Sequence, residues 1–123
     1  MATTENAKPA GPFKLVTVNS SPERAKKLCG RLVEEMRATH HIDYVANTTS
    51  IDGVRAMVEE HKPNLMFTAS MWTPEEAAQA VSVAREIVPD IKVMSLPKGL
   101  QVEKGPEGVI EYGKAHLPGI LDS

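Results

Sequence analysis

The feature that most constrains the fold is a regular alternation of short apolar runs with segments of helical periodicity. Four runs rich in β-branched and apolar residues are predicted to be strands: Phe13–Val18, Ile42–Ala46, Asn64–Ala69 and Ile91–Leu96. The third run is predominantly apolar, which is typical of a strand covered on both faces in a parallel sheet. Because strands that alternate with helices form parallel sheets with right-handed crossovers, the sequence predicts a single α/β domain.

Helix signals lie between these runs. Ser20 or Ser21 can cap the first helix, since Pro22 suits a first turn and apolar residues follow it at helical spacing. Thr73 and Glu76 have the spacing of a capping box and predict the start of another helix. The two remaining helices are predicted to begin after Ser50 and at Pro106.

Three stretches resemble the response-regulator receiver family. Val18–Glu23 reads V-N-S-S-P-E where receivers usually read V-D-D-D-P-E, His61–Ala69 resembles the segment that ends in the phospho-acceptor aspartate, and Ile91–Ser95 resembles the fourth strand. The resemblance covers roughly residues 13–97. It implies a flavodoxin-like three-layer αβα sandwich with a parallel sheet of four or five strands in the order 2-1-3-4(-5). The crevice of such a sheet lies at the carboxyl ends of strands 1 and 3.

The departures from the family concern its chemistry and its C-terminal third. The resemblance implies two acids after strand 1 that hold Mg²⁺ and an aspartate after strand 3 that accepts phosphate. Those positions hold Asn19, Ser20 and Ala69, so phosphoryl transfer to an aspartate is not expected. Only about ten residues separate Leu96 from Pro106, which is too few for the family's next helix and strand together. Leu100–Lys104 can be a short fifth strand that leaves Lys104 near the family's lysine, a loop, or a hairpin return through Pro97–Gly99.

The predicted crevice is surrounded by hydroxyl and amide side chains and one cation. One interpretation is a site for a phosphate or carboxylate, because helix N-termini with free N–H groups attract anions. The other, which we favour at this point, is that the serines and threonines simply cap helices. The candidate residues are Asn19, Ser20, Ser21, Thr68, Ser70, Thr73, Ser95 and Lys98.

A second group of residues is a candidate for binding a protein partner: Met71, Trp72, Leu100 and Val102. A Met–Trp pair on a loop beside the crevice would be a good anchor. The alternative for Trp72, slightly favoured, is packing on the third helix or the sheet edge. Strand 4 would be an edge strand with apolar side chains on both faces, and such an edge invites pairing. We therefore expect either Leu100–Lys104 or a second copy of the chain to cover it, and predict a homodimer.

Composition excludes several classes of function. The net charge is −2 and no basic stripe is present, so nucleic-acid binding is not expected. No apolar run approaches the ~20 residues that span a bilayer, and membrane association is not expected. The single cysteine, Cys29, forms no internal disulfide and is predicted to be a buried thiol, which suits the cytoplasm. Residues 1–12 are predicted to be a flexible tail preceding a domain of residues 13–123.

No sequence motif for catalysis, a metal or a cofactor is present, and we expect none of the three. The leading prediction is a non-enzymatic pseudo-receiver, a signalling or regulatory module that acts through protein–protein interaction or self-association. The alternative is a domain, enzymatic or not, that binds a small ligand or anion at the carboxyl ends of strands 1 and 3.

Overall fold

The computed structural model describes residues 10–122 and contains a four-stranded parallel sheet in the order β2-β1-β3-β4. The strands are β1 (Ala10–Val18), β2 (His40–Thr48), β3 (Leu65–Thr68) and β4 (Lys92–Ser95). The helices are α1 (Pro22–Met36), α2 (Val54–His61), α3 (Pro74–Ile87) and α4 (Leu100–Asp122), with a 3₁₀ turn at Ile51–Gly53. This confirms the predicted α/β class and a flavodoxin-like sheet with four strands.

Each predicted strand is present with slightly different ends. β1 begins at Ala10 rather than Phe13, because Ala10 pairs with His40 of β2. The last three residues of the predicted tail therefore belong to the sheet, and residues 1–9 lie outside the described residues.

Side-chain alternation along the strands divides the core into two layers. Leu15, Leu65 and Met94 lie on the face packed against α1 and α4. Val16 and Met66 lie on the opposite face with α2 and α3. Successive residues of a strand point to opposite faces, so these buried strands need apolar residues at nearly every position. The result is the three-layer arrangement expected of the fold.

The segment Leu100–Lys104 is helical, so the predictions of a fifth strand, a loop or a hairpin return were wrong. Ser70 explains the difference: its carbonyl accepts the N–H of Gly99 at 2.8 Å and its Oγ accepts the N–H of Gln101 at 3.2 Å. These bonds satisfy donors at the start of a helical turn from a position far away in sequence. Gly105, at φ 67° and ψ −169°, interrupts the helix before Pro106.

None of the helices within residues 10–122 has both the length and the apolar character needed to cross a membrane.

Candidate functional site

The carboxyl ends of β1, β3 and β4 meet at one edge of the sheet, as parallel strands require. Each end is tied to its neighbour by a main-chain hydrogen bond. The N–H of Ala69 donates to Val18 O at 3.2 Å, and that of Leu96 donates to Thr68 O at 3.0 Å. Asn19 follows β1 at the same edge. The predicted crevice therefore exists, on the side of the sheet that carries α1 and α4.

Two adjoining cavities form this crevice. The outer cavity has a volume of about 70 Å³ and is lined in part by Arg24, Ser70, Gln101 and Val102. The inner cavity, of about 30 Å³, lies deeper between the sheet and helices α1 and α4. Its lining is predominantly apolar. The two cavities share the lining residues Asn19, Leu28, Ala69 and Leu96.

Asn19 directly follows β1, and its hydrogen bonds hold a turn. Its Oδ1 accepts the N–H of Ser21 at 2.8 Å, and its main-chain carbonyl accepts Nδ2 of Asn47 at 3.1 Å. Thr17 donates in turn to Asn47 Oδ1 at 2.7 Å and lies 2.9 Å from the hydroxyl of Tyr44. This network, on the β1–β2 side, fixes the chain as it leaves the sheet and enters α1.

Two of the candidate hydroxyl residues cap helices. The Ser21 hydroxyl accepts the N–H of Arg24 at the start of α1. Thr73 and Glu76 form the complete capping box predicted for α3, with bonds of 3.0 and 3.1 Å. Ser20 is exposed, and its N–H lies 3.4 Å from the sulfur of Met71. For Ser21 and Thr73 the capping interpretation therefore accounts for the side chain without a ligand.

The remaining candidates are divided between the two faces of the sheet. Ser70 is buried and lines the outer cavity. Thr68 is fully buried and, like Met66, points to the face of the sheet that packs against α3. Within residues 10–122 its Oγ1 has no hydrogen-bond partner. Ser95 is exposed at the end of β4, and Lys98 Nζ lies 3.5 Å from Met71 O. The eight candidates thus do not converge on one point.

The predicted partner-binding residues differ in exposure. Trp72 is half-buried against the core on the α3 face, and its indole N–H donates to Val18 O at 2.8 Å. Leu100 is half-buried against the opposite core and Met71 is half-buried beside Ser20. Val102 is 89% exposed. The packing interpretation therefore fits Trp72, while Val102 is free to contact a partner.

Sequence reasoning missed Arg24 and Gln101, which both line the outer cavity. Arg24 follows the Ser21 cap by three residues, so the sequence could have placed it in the first turn of α1, at the carboxyl end of β1. Nothing in the sequence pointed to Gln101, because the position of Gln101 depends on the helical turn that Ser70 stabilises. The Oε1 atom of Gln101 is buried and has no hydrogen-bond partner in the described part of the chain.

The crevice has no negative side chain in its lining. The lining residues of both cavities include one cation, Arg24, and no aspartate or glutamate. Cys29 lines the inner cavity, and burial raises the pKa of its thiol to about 12. The thiol is therefore protonated at neutral pH and is a poor nucleophile. Within residues 10–122, no three His, Cys, Asp or Glu side chains are placed to share a metal ion.

Helices α1 and α4, which form one wall of the crevice, are joined at the surface by an ion pair. Arg31 donates to both carboxylate oxygens of Glu107, at 2.7 and 3.1 Å. The hydrogen bond from Arg31 holds the pKa of Glu107 below its usual range. Since both side chains are exposed, water screens the pair and its contribution to stability is small.

The chain matches no known protein-family model, and no well-characterised protein is similar enough in sequence to be recognised as a relative. Its function must therefore be argued from the residues of the crevice and of the sheet edge.

Proposed function

We propose that this chain is a non-enzymatic, receiver-like module that acts through protein–protein interaction, including association with a second copy of itself. The observation that carries the proposal is the crevice without acids. Asn19, Ser20 and Ala69 stand where the resemblance places two metal-binding acids and a phospho-acceptor. Asn19 is committed to a turn, and Ala69 has no nucleophilic atom. A partly apolar crevice without acids is compatible with binding and not with receiver phosphorylation.

The edge of β4 offers the surface for self-association. Lys92 and Leu96 donate their N–H groups to carbonyls of the neighbouring β3 segment. Because the direction of the main-chain groups alternates along a strand, Val93 and Ser95 direct theirs away from β3. No strand within residues 10–122 pairs with that side of β4. Such an edge is a template for another extended strand.

A two-fold axis through Met94 gives a self-complementary pairing of two copies. The main-chain groups of Val93 in one copy then meet those of Ser95 in the other, so that four hydrogen bonds form and the two sheets become one. The antiparallel pairing also sets the turn before β4 of one copy, which holds Asp90, near the turn after β4 of the other, which holds Lys98. Both side chains are exposed and opposite in charge, which favours this partner over an arbitrary strand.

Sedimentation equilibrium from low to high micromolar concentration tests the proposal. We expect a reversible dimer for the natural chain and a monomer for Ser95→Pro, because proline removes an outward N–H but no bond of the β3–β4 ladder. Ser95→Ala is the matched control, since it removes the same hydroxyl and keeps the N–H; it should dimerise normally. A natural chain that remains monomeric at high micromolar concentration would refute self-association.

The acid-free crevice is tested separately with a phosphodonor. Incubation with acetyl phosphate and Mg²⁺ should leave the intact mass of the protein unchanged. A base-labile phosphate adduct, of the kind an acyl phosphate forms, would contradict the proposal.

A further inference from the structure

Two hollows flank the uncovered edge of β4. The amino-end hollow lies where the strand begins, and residues of both neighbouring helices line it, Arg85 of α3 and Ile120 of α4, together with Val93 of the strand. The carboxyl-end hollow lies beside Ser95 on the α3 side, where Val81 and again Arg85 line it. Because Arg85 lines both, the two hollows adjoin along the outer side of β4, and we call them together the β4 groove.

The β4 groove has the size and the floor that an extended peptide needs. The hollows have volumes of about 420 and 510 Å³. A water molecule occupies about 30 Å³ in the liquid, so each hollow accepts a whole side chain. Beside them lie the outward main-chain groups of Val93 and Ser95. Peptides that add a strand to such an edge gain affinity from main-chain hydrogen bonds and specificity from hollows that take alternate side chains.

The charges of the β4 groove favour an acidic partner. Arg85 is exposed and forms no ion pair with any acid in the described range 10–122. Lys92 and Asp90 also line the amino-end hollow, so its two cations exceed its one acid. The lining of the carboxyl-end hollow that the structure describes includes no acid and presents the apolar side chains of Ala78 and Val81. A carboxylate near Arg85 and an apolar side chain beside it would complement this surface.

The spacing of the lining residues matches the side-chain period of a strand. Val81 and Arg85 are four residues apart, which is about 6 Å along a helix. Two residues of an antiparallel strand span about 6.8 Å and point to the same face. Val93 packs in the α3 layer of the core, and Ser95 shares its face by alternation. A strand added antiparallel to β4, which is the more stable pairing, therefore places one side chain opposite Ser95, in the carboxyl-end hollow. Two residues later, its next side chain on that face lies opposite Val93, beside Arg85.

We infer that the β4 groove binds an extended segment of another protein in which an apolar residue is followed two positions later by an acidic one. This assignment rests on the proposed function, since it names a partner for the same edge. A second copy of the chain does not supply the acid, because its Ser95 lies opposite Val93 in the two-fold pairing. A segment with this pattern therefore competes with self-association and displaces the second copy.

Titration of the full chain with the peptide Ac-Ser-Thr-Val-Thr-Glu-Thr-Ser-NH2, followed by ¹H–¹⁵N NMR, tests the inference. The amide resonances of Val81, Val93 and Ser95 should shift together and saturate. The same peptide with glutamine in place of glutamate should bind about two- to fivefold more weakly, because an exposed ion pair is lost, and this difference should shrink at high salt. A peptide with valine and glutamate exchanged should also bind more weakly, since its acid then faces the carboxyl-end hollow. Equal affinity of the three peptides would overturn the assignment, as would the absence of shifts.

A pair of variants separates the role of Arg85 from a general effect of charge. Arg85→Gln should bind the glutamate and glutamine peptides with equal affinity. Arg24→Gln removes the same charge from an exposed position on α1, outside the β4 groove, and should keep the preference for glutamate. A preference that survives Arg85→Gln would exclude the proposed mode of binding.

Sedimentation distinguishes this inference from self-association. Arg85→Gln leaves the main-chain groups of β4 intact, so it should dimerise as the natural chain does. An excess of the glutamate peptide should convert the natural dimer into monomer, and a dimer that persists would contradict competition for one edge. A natural chain that stays monomeric yet prefers the glutamate peptide would refute self-association and support the β4 groove. A dimer that binds neither peptide, or both equally, would do the reverse.

Discussion

The contact between Gly113 of α4 and Leu32 of α1 allows a quantitative test of the helix packing that forms the wall of the crevice. Gly113 is buried, and a Cβ atom placed on it would lie 2.7 Å from Leu32 Cδ2 and 3.0 Å from Leu32 Cδ1. The first distance is shorter than any ordinary contact between carbon atoms. Gly113→Ala should therefore force the two helices or the Leu32 side chain to move.

Gly30 provides a matched control on α1. A Cβ atom there would meet nothing within 4 Å, and the residue is exposed in the helix. Gly30→Ala should raise the free energy of unfolding by about 0.5–1 kcal/mol through helix propensity alone. Gly113→Ala gains the same propensity but loses about 1–3 kcal/mol by overpacking. The propensity cancels in the comparison, so the two variants should differ by about 1–3 kcal/mol.

Urea denaturation measures this difference directly, and thermal unfolding should show Gly113→Ala melting at least about 4 °C below Gly30→Ala. In a Leu32→Ala background the penalty of Gly113→Ala should largely disappear, since the clashing methyl groups are absent. Equal stability of the two glycine variants would refute the reasoning. It would mean that Leu32 can move into the inner cavity, which it lines.

The remaining predictions concern three single side chains. Since burial raises the pKa of Cys29 from 9.0 to about 12, the thiol should react with iodoacetamide at pH 8 about a thousandfold more slowly in the folded protein than in urea. Because the pKa is higher in the folded state, the protonated thiol favours folding. The free energy of unfolding should therefore have its full value below pH 9 and fall as the pH rises through 12, which urea denaturation at several pH values measures. Trp72→Phe should lower the free energy of unfolding by about 1 kcal/mol, measured by circular dichroism, because the indole hydrogen bond to Val18 O is lost. Thr73→Ala should cost about 1 kcal/mol by removing the cap of α3, whereas Thr73→Ser should restore most of it.

The predictions that succeeded depend on local patterns. The capping box at Thr73 and Glu76 was visible in the sequence because both partners lie within one turn. The strand runs were visible because strands buried on both faces need apolar residues at nearly every position. The buried state of Cys29 followed from its place on the apolar stripe of α1.

The candidate site was predicted only in part. Asn19 and Ser70 lie at the crevice as expected, because the topology of a parallel sheet brings the ends of β1 and β3 together. Thr68 does not line it, since alternation along β3 turns that side chain to the other face. Gln101 was missed because its position is set by a segment whose structure was predicted incorrectly.

The sequence by itself determined the strands, the first three helices, the part of α4 from Pro106 onward and the absence of acids at the ends of β1 and β3. Each of these depends on residue types and spacings within a short window. Only the tertiary structure decided that Leu100–Lys104 is helical, because its first turn is held by Ser70 from another strand end. That long-range contact places Gln101 at the mouth of the crevice and exposes Val102, and it leaves the edge of β4 without a covering strand. The position of Gln101 and the uncovered edge of β4 are therefore consequences of contacts between distant segments, which no local pattern contains.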